Sequence, residues 1–135
     1  MRLLSTALVI LALATPALAT EARLAKNGLR VEFQDTRFEV FTKAGWTRAA
    51  LFCAAGDVAR KRGAAANDFV VVSRKVGTSP TNPNRRSATF QLVDRNDIAD
   101  RSLFIFLPGF QEGARMSIGA ANLACEQDNF FKNGI

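Results

Sequence analysis

The sequence predicts an α+β domain: a mainly antiparallel sheet of four to six strands with two helices packed on one face, in the order β(β)αβββ(β)α. Three observations carry this. Apolar and polar residues alternate over short runs such as Leu29-Arg30-Val31-Glu32-Phe33, the period of a half-buried strand. Two longer stretches, residues 46–62 and 119–131, are rich in alanine and lose that alternation. After the first of them, strand-like runs follow one another through short connections, which favours antiparallel pairing with the helices on one face.

The elements follow in order. Residues 20–28 are polar and aperiodic and read as a loose N-terminal arm. "LRVEF" is a strand, and "RFEVF" repeats the pattern with its phase flipped. Residues 29–42 are therefore either a hairpin turning at Gln34-Asp35-Thr36-Arg37 or one strand with a bulge. "GWTRAALFCAAGDVARKRG" reads as a helix over 46–62, with basic residues in its last turn and Gly63 placed to stop it. "DFVVVSRKV" is a strand whose run from Phe69 to Val72 suggests cover on both faces. Residues 77–87 form a loop, since Pro80 and Pro83 exclude a regular ladder. "ATFQLVD" alternates again, "DRNDIADR" is a polar turn, and "ARMSI" adds one short strand. "SLFIFLPG" is the most apolar run and is expected in the middle of the sheet.

The chain opens "MRLLSTALVILALATPALAT": one arginine, an apolar run, then Ala17-Leu18-Ala19. That layout predicts a secretory signal peptide over residues 1–19, followed by a single domain over 20–135. The apolar run is shorter than the ~18–20 residues of a membrane span, and no later segment reaches that length, so no stable span is expected after cleavage. The alanine-rich style points to bacterial export, into the periplasm or outside.

Cys53 and Cys125 are the only cysteines, and there is no histidine. A zinc site lacks further ligands, a haem site lacks C-x-x-C-H, and a cysteine nucleophile lacks its usual base. In an oxidising compartment the two most often pair. Alanine and glycine around each cysteine permit the close approach that a disulfide needs. The bond would pin the last helix to the first and, in the chain-entropy model, stabilise the domain by about 4 kcal/mol. Two buried free thiols are the alternative.

The formal net charge is +6. Arg74, Lys75, Arg85 and Arg86 flank or lie within the 77–87 loop. They form a candidate site for an anionic component of the cell envelope or for a protein partner. A solvated hairpin loop is the competing reading. Nucleic acid is not an expected partner, since no recognised binding motif is present. Asp94, Asp97 and Asp100 lack the spacing of a calcium loop and suit local ion pairs with Arg95 and Arg101. Asp57 suits a cap or a pair with a basic side chain at the helix end. Trp46, Phe110, Phe130 and Phe131 suit the core or its edge, and "FFKNGI" is the place for an exposed apolar patch.

No hydrolase elbow, phosphate loop or metal cluster is present, so neither catalysis nor a cofactor is expected. The sequence points to a disulfide-tied binding module. A carrier of a small apolar ligand, held between sheet and helices, is the second reading, and an enzyme using carboxylates is a remote third. The run "FCAAGDVARKRGA", followed by a valine-rich strand, resembles small uncharacterised exported proteins of alphaproteobacteria. The resemblance implies export and brings no activity or site residues with it.

Overall fold

The computed structural model describes residues 20–98, 104–105 and 110–133. The expected leader at 1–19 and Asp100 lie outside these residues, as do the side chains of Phe130 and Phe131. The strands are β1 (Glu21–Leu24), β2 (Arg30–Gln34), β3 (Arg37–Phe41), β4 (Phe69–Thr78), β5 (Arg86–Val93), β6 (Phe104–Ile105) and β7 (Arg115–Ser117). The helices are α1 (Arg48–Lys61) and α2 (Ile118–Asn133), with a 3-10 turn at Arg95–Asp97. The strands form one antiparallel sheet in the order β1-β2-β3-β5-β4-β7-β6. The class is α+β, as the sequence predicts.

Residues 29–42 resolve as a hairpin. Gln34 pairs with Arg37 across a two-residue turn, and Asp35 takes the positive φ of 55° that such turns require. The next connection runs through α1. β3 and β4 are parallel to each other, with β5 inserted between them, so β3-α1-β4 is a split crossover. Thr47 caps α1 by accepting from the Ala50 amide at 3.0 Å. Gly63 ends it at φ 97°.

Three expectations change. The segment at 20–28 is tied down rather than loose. β1 pairs with β2, and the following turn docks on α1. There the Lys26 amide donates to Asp57 at 2.8 Å, and the Asn27 side chain donates to the Ala50 carbonyl at 2.9 Å. Among the described residues the sheet has seven strands, because β1 and the short β6 extend its two edges. The apolar run around Phe104 and Ile105 therefore lies at an edge and not in the middle. β5 already has β3 on one side and β4 on the other, and β7 takes the free side of β4. β6 pairs with the outer side of β7 and so closes the sheet at that end.

One face of the sheet meets the helices. Val31, Phe33, Phe38, Val40, Val70, Val72, Ala88 and Phe90 are all buried. Phe52 from α1 and Phe110 pack edge-to-face with Phe90, with centroids 5.3 to 6.0 Å apart. Every residue of α1 from Ala50 to Ala59 is buried. The sheet covers one side of this helix, α2 a second, and the 25–29 turn a third. Complete cover explains why its apolar residues fall in no narrow stripe.

α1 and α2 touch backbone to backbone. Cys53 and Cys125 form a disulfide, with Cα atoms 4.7 Å apart and 72 residues between them in sequence. One turn along, a Cβ on Gly56 would stand 2.4 Å from the Ala121 Cβ. Real atoms do not approach so closely, so the helices pack here only because residue 56 has no side chain. Gly56→Ala is therefore expected to destabilise the protein by about 1–3 kcal/mol, despite alanine's better helix propensity. Urea unfolding midpoints measure this. Adding Ala121→Gly to the same protein should recover most of the loss, because it restores the clearance.

Candidate functional site

The second face of the sheet carries polar side chains, and a charged one among them, Glu39, is buried. Glu39 alternates with the inward-facing Phe38 and Val40 and so points away from the helices. It is nevertheless only 7% exposed, because residues 79–85 fold over it. Its Oε1 accepts from Ser79 Oγ at 2.5 Å and from Ser87 Oγ at 2.6 Å. Its Oε2 accepts from Thr81 Oγ1 at 2.7 Å. The Arg74 guanidinium stands 3.8 Å from Oε1 and donates to Ser87 Oγ at 2.5 Å and Thr89 Oγ1 at 3.1 Å. Burial alone would raise the Glu39 carboxyl. The three hydroxyl donors and the Arg74 charge outweigh it and hold the group below the usual carboxylate range. A carboxylate so stabilised serves as an anchor and is unsuited to act as a general acid.

The anchor shapes the loop. Ser79 Oγ accepts from the amides of Thr81 and Asn82, and the Ser79 amide donates to the Arg85 carbonyl at 2.9 Å. Residues 77–78 and 86–87, expected in the loop, extend β4 and β5 instead. The loop then hands the chain to Arg85 and Arg86. Thr42 binds the Arg86 carbonyl through both its amide and its hydroxyl. This places the turn at 42–46 beside those arginines, with Gly45 at φ 73° completing it.

The four basic residues singled out in the sequence divide. Arg74 is turned onto Glu39 and its neighbours. Lys75 is exposed, and its amide donates to the Glu112 carboxylate at 3.2 Å. Backbone donors, from Glu112 itself and then from Lys75, hold that carboxylate below its ordinary range. Arg85 and Arg86 meet instead with Lys43 and Trp46 around a shallow depression of about 500 Å³. The Arg85 guanidinium lies over the Phe41 ring, 4.5 Å from its centroid. The Trp46 ring packs edge-on against Phe110 and stays 39% exposed. Lys43 lines the depression while its ammonium rests over Gly28, at the end of a stem long enough to swing. None of these three cations forms an ion pair with a carboxylate among the described residues.

Lys43 was not legible as a site residue, because it lies 42 residues before Arg85 and joins it only through the pairing of β3 with β5. Glu39 gave no signal either. A single acid on the outer side of a strand reads as solvated until a loop is known to cover it. The remaining candidates take structural roles. Asp57 accepts from Lys61 at 2.8 Å, one turn along α1, besides holding Lys26. Asp94 caps the 3-10 turn through the Asn96 amide at 2.8 Å.

Acid should weaken the Glu39 anchor. Its folded carboxyl titrates below the ordinary glutamate value of 4.5, so its contribution is complete above that value and is lost as pH falls through the lower folded one. Glu39→Gln is expected to cost about 1–3 kcal/mol near neutral pH, since it breaks the network and leaves Arg74 without its counter-charge. As pH falls below the ordinary glutamate value the gap between variant and wild type should narrow, as urea midpoints at neutral pH and in increasingly acid buffer would record. Comparison of the chain with protein-family models, curated proteins and solved structures found no significant match.

Proposed function

We propose that the protein is an exported, non-catalytic binding module of the cell envelope, which engages an anionic group of its partner at Arg85, Arg86 and Lys43 beside Trp46. The observation that carries this reading is the gathering, around one depression, of an exposed tryptophan and three cations that form no ion pair among the described residues. Arg30 meets Glu32 and Lys61 meets Asp57 elsewhere on the surface. Around the depression no such counter-charge is present among the described residues, and the base is rigid. Arg85 is stacked on Phe41, and its carbonyl is held by the loop that Glu39 anchors. Phosphate and carboxylate both suit a guanidinium, which offers them paired donors. The leader-like N-terminus and the disulfide both fit an oxidising place outside the cytoplasm.

Trp46 is the only tryptophan, so its fluorescence reports on this depression alone. Titration with polyphosphate and with polygalacturonate should change that fluorescence, with an affinity that falls as salt is raised. Lys43→Ala combined with Arg86→Ala should weaken binding by at least about tenfold at low salt while leaving the unfolding midpoint unchanged, because both residues are exposed. Binding of neither polymer, or equal binding by the double variant, would refute the reading.

A further inference from the structure

A second cavity lies far from the basic depression and differs from it in chemistry. Its volume is about 750 Å³, within the range of small-molecule sites, and it is open on one side. The carrier reading placed an apolar ligand between sheet and helices. That space is filled by Phe52, Phe90 and Phe110. The apolar-walled cavity sits instead where the start of β4 meets the first turns of α2. Phe69 forms its wall, with the Arg115 guanidinium 5.7 Å from the ring centroid. Ala66, Gly119 and Ala120 form a floor of small residues. Leu123, on the same side of α2 as Gly119 and Ala120, is 68% exposed at the edge. Leaving so large an aliphatic side chain in water is unfavourable relative to burying it under an apolar chain.

One charged group lines this apolar cavity among the described residues: Arg95. It is exposed and forms no ion pair there. The nearby Asp68 carboxylate is occupied by the amides of Ala65 and Arg95. The amides that open α2 are occupied too. Ile118 donates to the Asp68 carbonyl, Gly119 to the Ala66 carbonyl and Ala120 to Ser117 Oγ. An anionic ligand group would therefore meet the Arg95 side chain and not the helix terminus.

We propose that this cavity binds a single alkyl chain with an anionic head, the chain lying on Phe69, Ala120 and Leu123 and the head on Arg95. The site is independent of the basic depression and gives the domain a second, amphiphilic ligand. Calorimetric titration of the oxidised protein with decanoate, below the concentration at which it aggregates, tests this. Decanoate should bind and raise the melting temperature, while decanol and decyltrimethylammonium should bind about tenfold more weakly. Decyl phosphate in place of decanoate tells a phosphate-headed lipid fragment from a fatty acid, whichever binds tighter. Arg95→Gln should weaken decanoate by about tenfold and leave decanol unchanged. Leu123→Asp should abolish binding of both, and Leu123→Gln, gentler on the helix, should weaken both. Decanoate binding no tighter than the cationic analogue, or unchanged in the Leu123 variants, would overturn the assignment. The Lys43→Ala/Arg86→Ala protein should bind decanoate normally, so a failure at either site is distinguishable from a failure at the other.

Discussion

Cys53 and Cys125 join two helices whose backbones already touch, and the rest of the molecule is arranged around that seam. Gly56 against Ala121 sets the distance, and the disulfide one turn away makes it permanent. Once α2 lies against α1, the first helix has no solvent-facing side left, because the sheet and the 25–29 turn take what remains. A small domain stabilises itself only by covering a large fraction of its apolar surface. Here a helix rich in small residues is enough, since each of its sides meets something. In a looser packing the same alanines would bury too little.

The opposite face of the sheet is organised by charge. Glu39 is driven under the loop by hydroxyl donors and by Arg74, and the loop in turn orients the backbone of Arg85. One buried carboxylate thus links the sheet to the exposed cations. Removing a partner from a satisfied buried network costs more than the network itself contributes. Such a network therefore acts chiefly to fix one arrangement of the loop among many. The two halves of the domain divide the labour: small residues and sulfur make the helical layer rigid, and a polar cluster holds the 79–85 loop and the cations beside it in place.

Much of the fold could be read from the residues. The alternation in "LRVEF" and "ATFQLVD" located β2 and β5, and the alanine-rich runs located both helices to within a few residues. The partnering of Cys53 with Cys125 followed from there being only two cysteines, with small neighbours. What stayed hidden depended on contacts far apart in sequence. "SLFIFLPG" announces burial, but the place of β6 is set by β7, which comes later in sequence and stands between it and β4. The polar 20–28 stretch gives no periodic signal, because Lys26 and Asn27 dock through single hydrogen bonds to α1 and not through an apolar stripe. Lys43 and Glu39 became site residues only when β3 paired with β5 and the following loop closed over it. Charge in a sequence says how many cations there are; pairing decides which ones meet.

The seam is tested most directly by counting thiols. The protein, isolated without reductant, is unfolded in guanidinium and treated with an alkylating reagent, and its intact mass is measured. The account predicts that neither cysteine is labelled until a reductant is added, after which both are. Labelling of both cysteines in the non-reduced, unfolded protein would contradict it, because α1 and α2 would then be held by packing alone.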